Sequence, residues 1–178
     1  MKIGIVTGSI REGRSAEPVR QWVTERAVAR GDAEYVTLDL KEFDVPLLSS
    51  ATVPGAAEKK YDDPRVQEWS AAVDACDGFV FITSEYNHSV PGVFKNAFDS
   101  LGNEWAKKPV AFVSYGAAEG LRAVEAWRLA IANFAMYGIR NQLSFSLVRE
   151  FGENGLEPAD HREGELTTRL DDLLEALS

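Results

Sequence analysis

Short apolar runs alternate with amphipathic stretches from one end of the chain to the other. Lys2 to Thr7 is a β-rich apolar run that stops at Gly8. From Ser15 to Arg30, Val19, Trp22, Val23, Ala27 and Arg30 recur at 3.6-residue spacing, which predicts a helix with one inward face. Glu34 to Leu40 reads as a second strand. Asp63 to Ala75 reads as a second helix, opened by Asp62 or Asp63 and Pro64. The unbroken Phe79-Val80-Phe81-Ile82 within Gly78 to Ser84 predicts a third strand buried on both faces. Pro91 then opens a short helix carrying Val93, Phe94, Ala97, Phe98 and Leu101 inward. Pro109 to Tyr115 is a fourth strand ending at Gly116. Glu119 to Tyr137 follows as a long helix using Leu121, Val124, Trp127, Ile131 and Phe134. Gln142 to Val148 is a last strand, and Leu166, Leu170, Leu173, Leu174 and Leu177 mark a C-terminal helix. Residues 41 to 61 form a connection longer than most, and such loops are often functional.

Five strands alternating with about five helices predict a parallel sheet covered on both faces. Right-handed crossovers leave a doubly wound, flavodoxin-like α/β fold with strand order 2-1-3-4-5 as the natural arrangement. No internal repeat or linker divides the chain, so residues 1–178 are expected to form a single domain. With 45% hydrophobic residues the chain can bury a substantial core. No run approaches the length of a membrane span, and the first apolar segment is only a strand long, so a soluble cytoplasmic protein is expected. A net charge of −9 disfavours nucleic acid. The one cysteine, Cys76, sits in an apolar helical pattern without histidine or acidic neighbours and reads as a buried structural thiol. A reducing compartment fits.

In such a sheet, ligands bind beyond the carboxyl ends of the strands near the point where strand order reverses. Three segments fall there. Gly8-Ser9-Ile10-Arg11-Glu12-Gly13-Arg14-Ser15 combines turn glycines, two hydroxyls, two guanidinium groups and the start of a helix. These features suit a terminal phosphate held by Ser9, Arg11, Arg14 and Ser15. The loop lacks both the Gly-Lys-Ser/Thr ending of an NTPase loop and the Gly-x-Gly-x-x-Gly of dinucleotide sites, so a phosphomonoester fits better than a pyrophosphate. The plainer reading is a polar loop with Ser15 as helix N-cap. Next, Ser84, Glu85, Tyr86 and Asn87 follow a buried strand and could meet the polar edge of a flat ring. Alternatively, Asn87 and Ser89 cap the helix near Pro91. His88, without a partner, reads as surface or structural, while Lys95 and Asn96 hold the loop in shape. Finally, Ser114, Gly116, Ala117 and Ala118 give a small-residue turn whose N–H groups suit ring carbonyl oxygens, or simply a close strand-to-helix turn.

Taken together, Gly8-Ser9-Ile10-Arg11 with Ser15, Glu85 through Asp99, Lys108 through Gly116 and Arg122-Ala123 closely resemble the NADPH-dependent FMN reductase family. That family includes bacterial quinone, azo-dye and chromate reductases. The resemblance implies that Ser9, Arg11 and Ser15 hold the FMN phosphate and that Glu85, Tyr86 and Asn87 line the isoalloxazine. The 116–118 turn would meet its pyrimidine side. It also implies NADPH or NADH as donor, hydride transfer at flavin N5 rather than at a catalytic side chain, a small-molecule acceptor, and a homodimer or homotetramer. The chain departs from the family pattern at Ser84, where proline is usual, and at Ala16-Glu17, where an asparagine often helps bind phosphate. The Gly116-Ala117-Ala118 turn is also less glycine-rich than usual. Glu17 would oppose a phosphate if it pointed inward. An electron carrier without its own nicotinamide reaction and a flavin-free interaction module are the rival readings.

Overall fold

The computed structural model describes residues 1–153 and 155–178. Its centre is a six-stranded sheet containing β1 (Lys2–Thr7), β2 (Glu34–Asp39), β3 (Gly78–Ser84), β4 (Pro109–Gly116), β5 (Tyr137–Gly138) and β6 (Leu143–Ser146). The order is β2-β1-β3-β4-β5, with β6 also on β4, and every pairing in this sheet is parallel. This is the predicted order, with one change at its edge. The fifth position is divided: β5 pairs with Pro109–Val110, whereas β6 pairs with Val113–Gly116. The predicted helix to Tyr137 is correspondingly shorter. Helix α5 (Leu121–Ile131) runs into a 3₁₀ turn, and Ala135 takes a left-handed φ of 51°. Tyr137 N–H then reaches the Lys108 carbonyl at 3.3 Å, so strand pairing claims a segment that the helical pattern also fitted. Leu121, expected inward, is exposed.

Helices cover both faces because the strand residues alternate in direction. Phe79 and Phe81 point to one side, against α3 (Pro64–Asp74), α4 (Gly92–Asp99) and α5. Val80 and Ile82 point to the other, against α1 (Ala16–Arg30) and α6 (Arg162–Glu175). On the first face Phe81 sits among Phe94, Phe98, Trp105, Phe112 and Trp127 at centroid distances of 5.0 to 6.3 Å. Aromatic edges and faces at such distances add to the burial energy. The indole N–H groups of the three fully buried tryptophans are satisfied: Trp69 donates to the Ala97 carbonyl, Trp105 to that of Phe98, and Trp127 to Thr83 Oγ1. Cys76 is buried as expected, and burial pushes its thiol up to about 11. A small antiparallel pair, β7 (Phe151–Gly152) and β8 (Gly155–Leu156), precedes α6 and has no counterpart in the sequence reading.

The long connection after β2 begins with the one-turn helix α2 (Leu40–Phe43). Two polar side chains, half-buried Asn96 and buried Glu104, tie the rest of it down. Asn96 donates to the Pro46 carbonyl and accepts from Leu48 N–H, both at 2.9 Å. Glu104, fully buried, accepts from Tyr61 hydroxyl at 2.8 Å, Ser70 hydroxyl at 2.6 Å and Gly102 N–H at 2.9 Å. Replacing Glu104 with alanine strands three donors and opens a void, so we expect a loss of roughly 3 kcal/mol in urea unfolding. A loss below about 1 kcal/mol would contradict this account of the connection.

Candidate functional site

The three strand ends singled out in the sequence meet at one cleft of about 380 Å³. Its first wall follows β1. Gly8 donates to the Ile82 carbonyl at 3.0 Å, and a Cβ there would lie 2.0 Å from Phe94 Cδ1, so only glycine lets the chain pass this close to α4. Ser9 is buried, and its hydroxyl is 2.8 Å from that of Tyr86. Among the described residues, the N–H groups of Ser9, Ile10 and Arg11 donate to no backbone acceptor. Ser15 occupies the N-cap position of α1 in helical geometry, without a capping hydrogen bond, so the simple N-cap reading does not hold. Arg11 is exposed, lies 5.9 Å from the Tyr86 ring centre, and makes no ion pair among the described residues. Free amides, an uncapped helix start and an unpaired guanidinium are the makings of an anion site.

Arg14 stands differently. Its guanidinium is largely buried and donates to Ser9 carbonyl oxygen at 2.6 Å, to both carboxylate oxygens of Asp39 and to Glu17 at 2.9 Å. It lines the cleft, but its terminal nitrogens are already engaged by the protein. Glu17 is held by Arg20 and Arg14, which keep its carboxyl below the ordinary range against the opposing effect of burial. Its charge is thereby matched by two cations.

The second wall follows β3. Ser84 is buried, and its Oγ has no hydrogen-bond partner. Glu85 accepts from Arg122 N–H at 3.1 Å and pairs with the Arg122 guanidinium, fastening this loop to the start of α5. Tyr86 and Ser89 exchange backbone hydrogen bonds of 3.0 and 3.1 Å around Asn87 and His88, whose φ values are 49° and 73°. That is a tight turn of the mirror-image hairpin class. It turns Asn87 and His88 into solvent, and Pro91 holds the N-cap position of α4 without a side-chain cap, so Asn87 and Ser89 do not serve as caps.

The third wall follows β4. Tyr115 is buried, which pushes its phenol up to about 12. Gly116 and Ala117 line the cleft. Ser114 instead donates to the Glu119 carbonyl at 2.7 Å and supports the turn from behind. Leu147, just past β6, donates to the Gly116 carbonyl at 3.0 Å and completes the lining. Nine predicted residues therefore converge: Ser9, Arg11, Arg14, Ser15, Ser84, Glu85, Tyr86, Gly116 and Ala117. Asn87, Ser114 and Ala118 lie outside the lining. The sequence reading omitted Tyr115, whose strand position signalled only burial, and Leu147, whose place depends on how β6 pairs. A second cavity of about 490 Å³ lies under the 46–63 connection and includes none of these loops. Among the described residues, no group of three or more His, Cys, Asp or Glu could hold a metal.

The residues fit a flavin mononucleotide. Arg11, Ser15 and the free loop amides suit the phosphate, and the orphaned Ser84 Oγ needs a polar partner of the kind a ribityl chain offers. Burial disfavours ionised Asp39, but Arg14 and the Lys41 N–H outweigh it and hold its carboxyl below the ordinary range. Stability from a depressed carboxyl is complete above its ordinary pKa and fades as pH falls through the folded-state value. Arg14→Met should therefore lower stability in urea near neutral pH, followed by tryptophan fluorescence, and the gap from wild type should narrow as pH falls through the carboxylate range. A gap that did not change with pH would mean that the carboxyl of Asp39 is not the source of the difference.

Residues 1–150 match the model of a family described as NADPH-dependent FMN reductase. An NAD(P)H-dependent FMN reductase of Nectria sp., ntnL, is 36% identical over 126 residues, covering 68% of this chain and 63% of the relative, less than two thirds of its length. Among solved structures, the flavoenzyme NAD(P)H:(acceptor) oxidoreductase FerB from Paracoccus denitrificans aligns over 98% of both chains with a TM-score of 0.78 at 17% identity. Oxidised flavodoxin 1 from Bacillus cereus aligns over 100% of both with a TM-score of 0.61 at 14% identity. At these identities the two structures speak for the flavodoxin-like fold alone. On the extent of the family match, this chain belongs to the NADPH-dependent FMN reductase family.

Proposed function

We propose that the chain is an FMN-dependent NAD(P)H oxidoreductase that passes two electrons from a nicotinamide to a small acceptor, such as a quinone, an azo compound, free flavin or a metal oxyanion. The observation that carries this reading is the convergence of unpaired amides, unpaired Arg11 and orphaned Ser84 at the strand-order reversal. The flavin, when bound, supplies the two-electron exchange between donor and acceptor. The chain's own residues would bind and orient it: Arg11 and Ser15 at the phosphate, Ser84 and Tyr86 along the middle, and the Gly116–Ala117 backbone at the ring. Protons can come from water.

Residues 1–178 would act as one FMN-binding unit, since two core clusters flank the same sheet. A homodimer or homotetramer belongs to the same proposal. Leu47 and Leu129 are each 81% exposed, and Leu48 and Pro54 line both surface clefts beside them. Exposed apolar residues grouped in this way suit a subunit contact. A cytoplasmic location is likewise proposed, supported by the single cysteine, which rules out an internal disulfide.

Protein reconstituted with FMN and desalted should keep its visible flavin bands, and anaerobic NADPH or NADH should bleach them. Retained flavin that stays oxidised would favour an electron carrier, and a colourless protein would overturn the reading. Arg11→Ala should weaken FMN retention about tenfold without lowering thermal stability, as expected for one charge-assisted phosphate contact. Leu129→Glu should shift the protein to a smaller species in sedimentation, and an unchanged mass would place the subunit contact elsewhere.

A further inference from the structure

We propose that Asp39, from the strand next to the cleft, is a positioning residue for the cofactor phosphate, acting through Arg14 on the loop that follows β1. This rests on the FMN reading above. Asp39 is the last residue of β2 and lies beside Thr7, the last residue of β1, in the sheet register. Its carboxylate is fixed on both sides. Lys41 N–H donates to Oδ1 at 3.0 Å, and Arg14 Nη1 donates to the same oxygen at 2.7 Å while Arg14 Nη2 bonds Oδ2. This two-pronged pairing sets the plane of the guanidinium.

The orientation has a consequence for the backbone. Arg14 Nη1 also reaches the Ser9 carbonyl at 2.6 Å, closing residues 9 to 14 into a ring through a side chain. In a trans peptide the carbonyl and the following N–H point in opposite directions. Drawing the Ser9 carbonyl toward Arg14 therefore turns the Ile10 N–H the other way and holds the carbonyl's negative end on a guanidinium instead of leaving it free to oppose an anion. That N–H donates to no backbone acceptor among the described residues. A buried ion pair is a poor source of stability compared with apolar side chains of the same volume. Orienting a loop is what this pair does that such side chains would not. Arg14 and Asp39 also cancel one another's charge, leaving Arg11 as the cation for phosphate. The roles of the two arginines are thus distinct: Arg11 meets the ligand, and Arg14 holds the loop that meets it.

The test compares FMN with riboflavin, which lacks the phosphate, by quenching of flavin fluorescence on titration with apoprotein. Wild type should bind FMN well ahead of riboflavin. Asp39→Asn should weaken FMN about tenfold while riboflavin stays within about twofold. Arg14→Lys, which keeps the charge but not the fork, should do the same, and the double variant should lose no more than the worse single one. If Asp39→Asn does not fold, Arg14→Lys with Asp39 intact decides the matter. FMN affinity unchanged or improved in the folded variants would overturn the proposal, as would equal losses for both flavins. Wild type that failed to distinguish FMN from riboflavin would overturn the FMN reading itself and this inference with it.

Discussion

Strand β1 pairs with β2 along one edge and β3 along the other, and the site depends on this pairing. Parallel neighbours need crossovers, and right-handed crossovers that run in opposite directions from β1 send the chain to opposite faces of the sheet. The loops leaving the carboxyl ends of β1 and β3 therefore diverge, and a cleft opens between them. Gly8 shows how tightly this is drawn, because its N–H bonds back to Ile82 while its missing side chain makes room for Phe94. The aromatic cluster around Phe81 fixes α4 and α5 on the sheet, and through them the two other loops of the cleft.

Charge in the cleft is arranged by pairing more than by composition. The chain carries a net −9, yet the loop after β1 presents unengaged amides and an unpaired Arg11. Three nearby carboxylates are matched: Asp39 by Arg14, Glu17 by Arg14 and Arg20, Glu85 by Arg122; Glu12, in the loop itself, is exposed. An acidic protein can thus offer a local seat to an anion, since interactions over a few ångströms in a partly buried site outweigh the screened field of distant charges. Hydrogen bonds tie the loops of the cradle down. Arg14 closes the loop after β1 on itself, Glu85 fastens the loop after β3 to α5, and two backbone bonds around Asn87–His88 tie that second loop again.

Much of this was legible in the chain. Alternation of apolar runs with helical stripes depends on local periodicity, so the sheet order, both covered faces and the three ligand-end loops follow from the sequence. So did most of the residues that meet in the cleft, because strand ends place their successors. Side-chain direction within the loops was not legible. Arg11 and Arg14 read alike as phosphate ligands, but only the sheet register brings Asp39 beside Thr7, where it engages one arginine and leaves the other free. Asn87 reads as a ring contact or a cap, but left-handed backbone at Asn87 and His88 turns both outward. Ser114, placed at the ring by its position, supports the next turn instead.

Tertiary pairing also decided the divided outer strand. The residues near Tyr137 fit a helix by spacing, and their capture by Pro109 and Val110 depends on a strand far away in sequence. Leu147 enters the cleft for the same reason, carried there by β6 on β4. The sequence by itself determined the fold, the cleft's location and the chemistry on offer, since these arise from near-neighbour patterns along the chain. Only the tertiary structure decided which charges are spent on each other and which remain for a ligand, because that depends on contacts between residues the chain keeps apart.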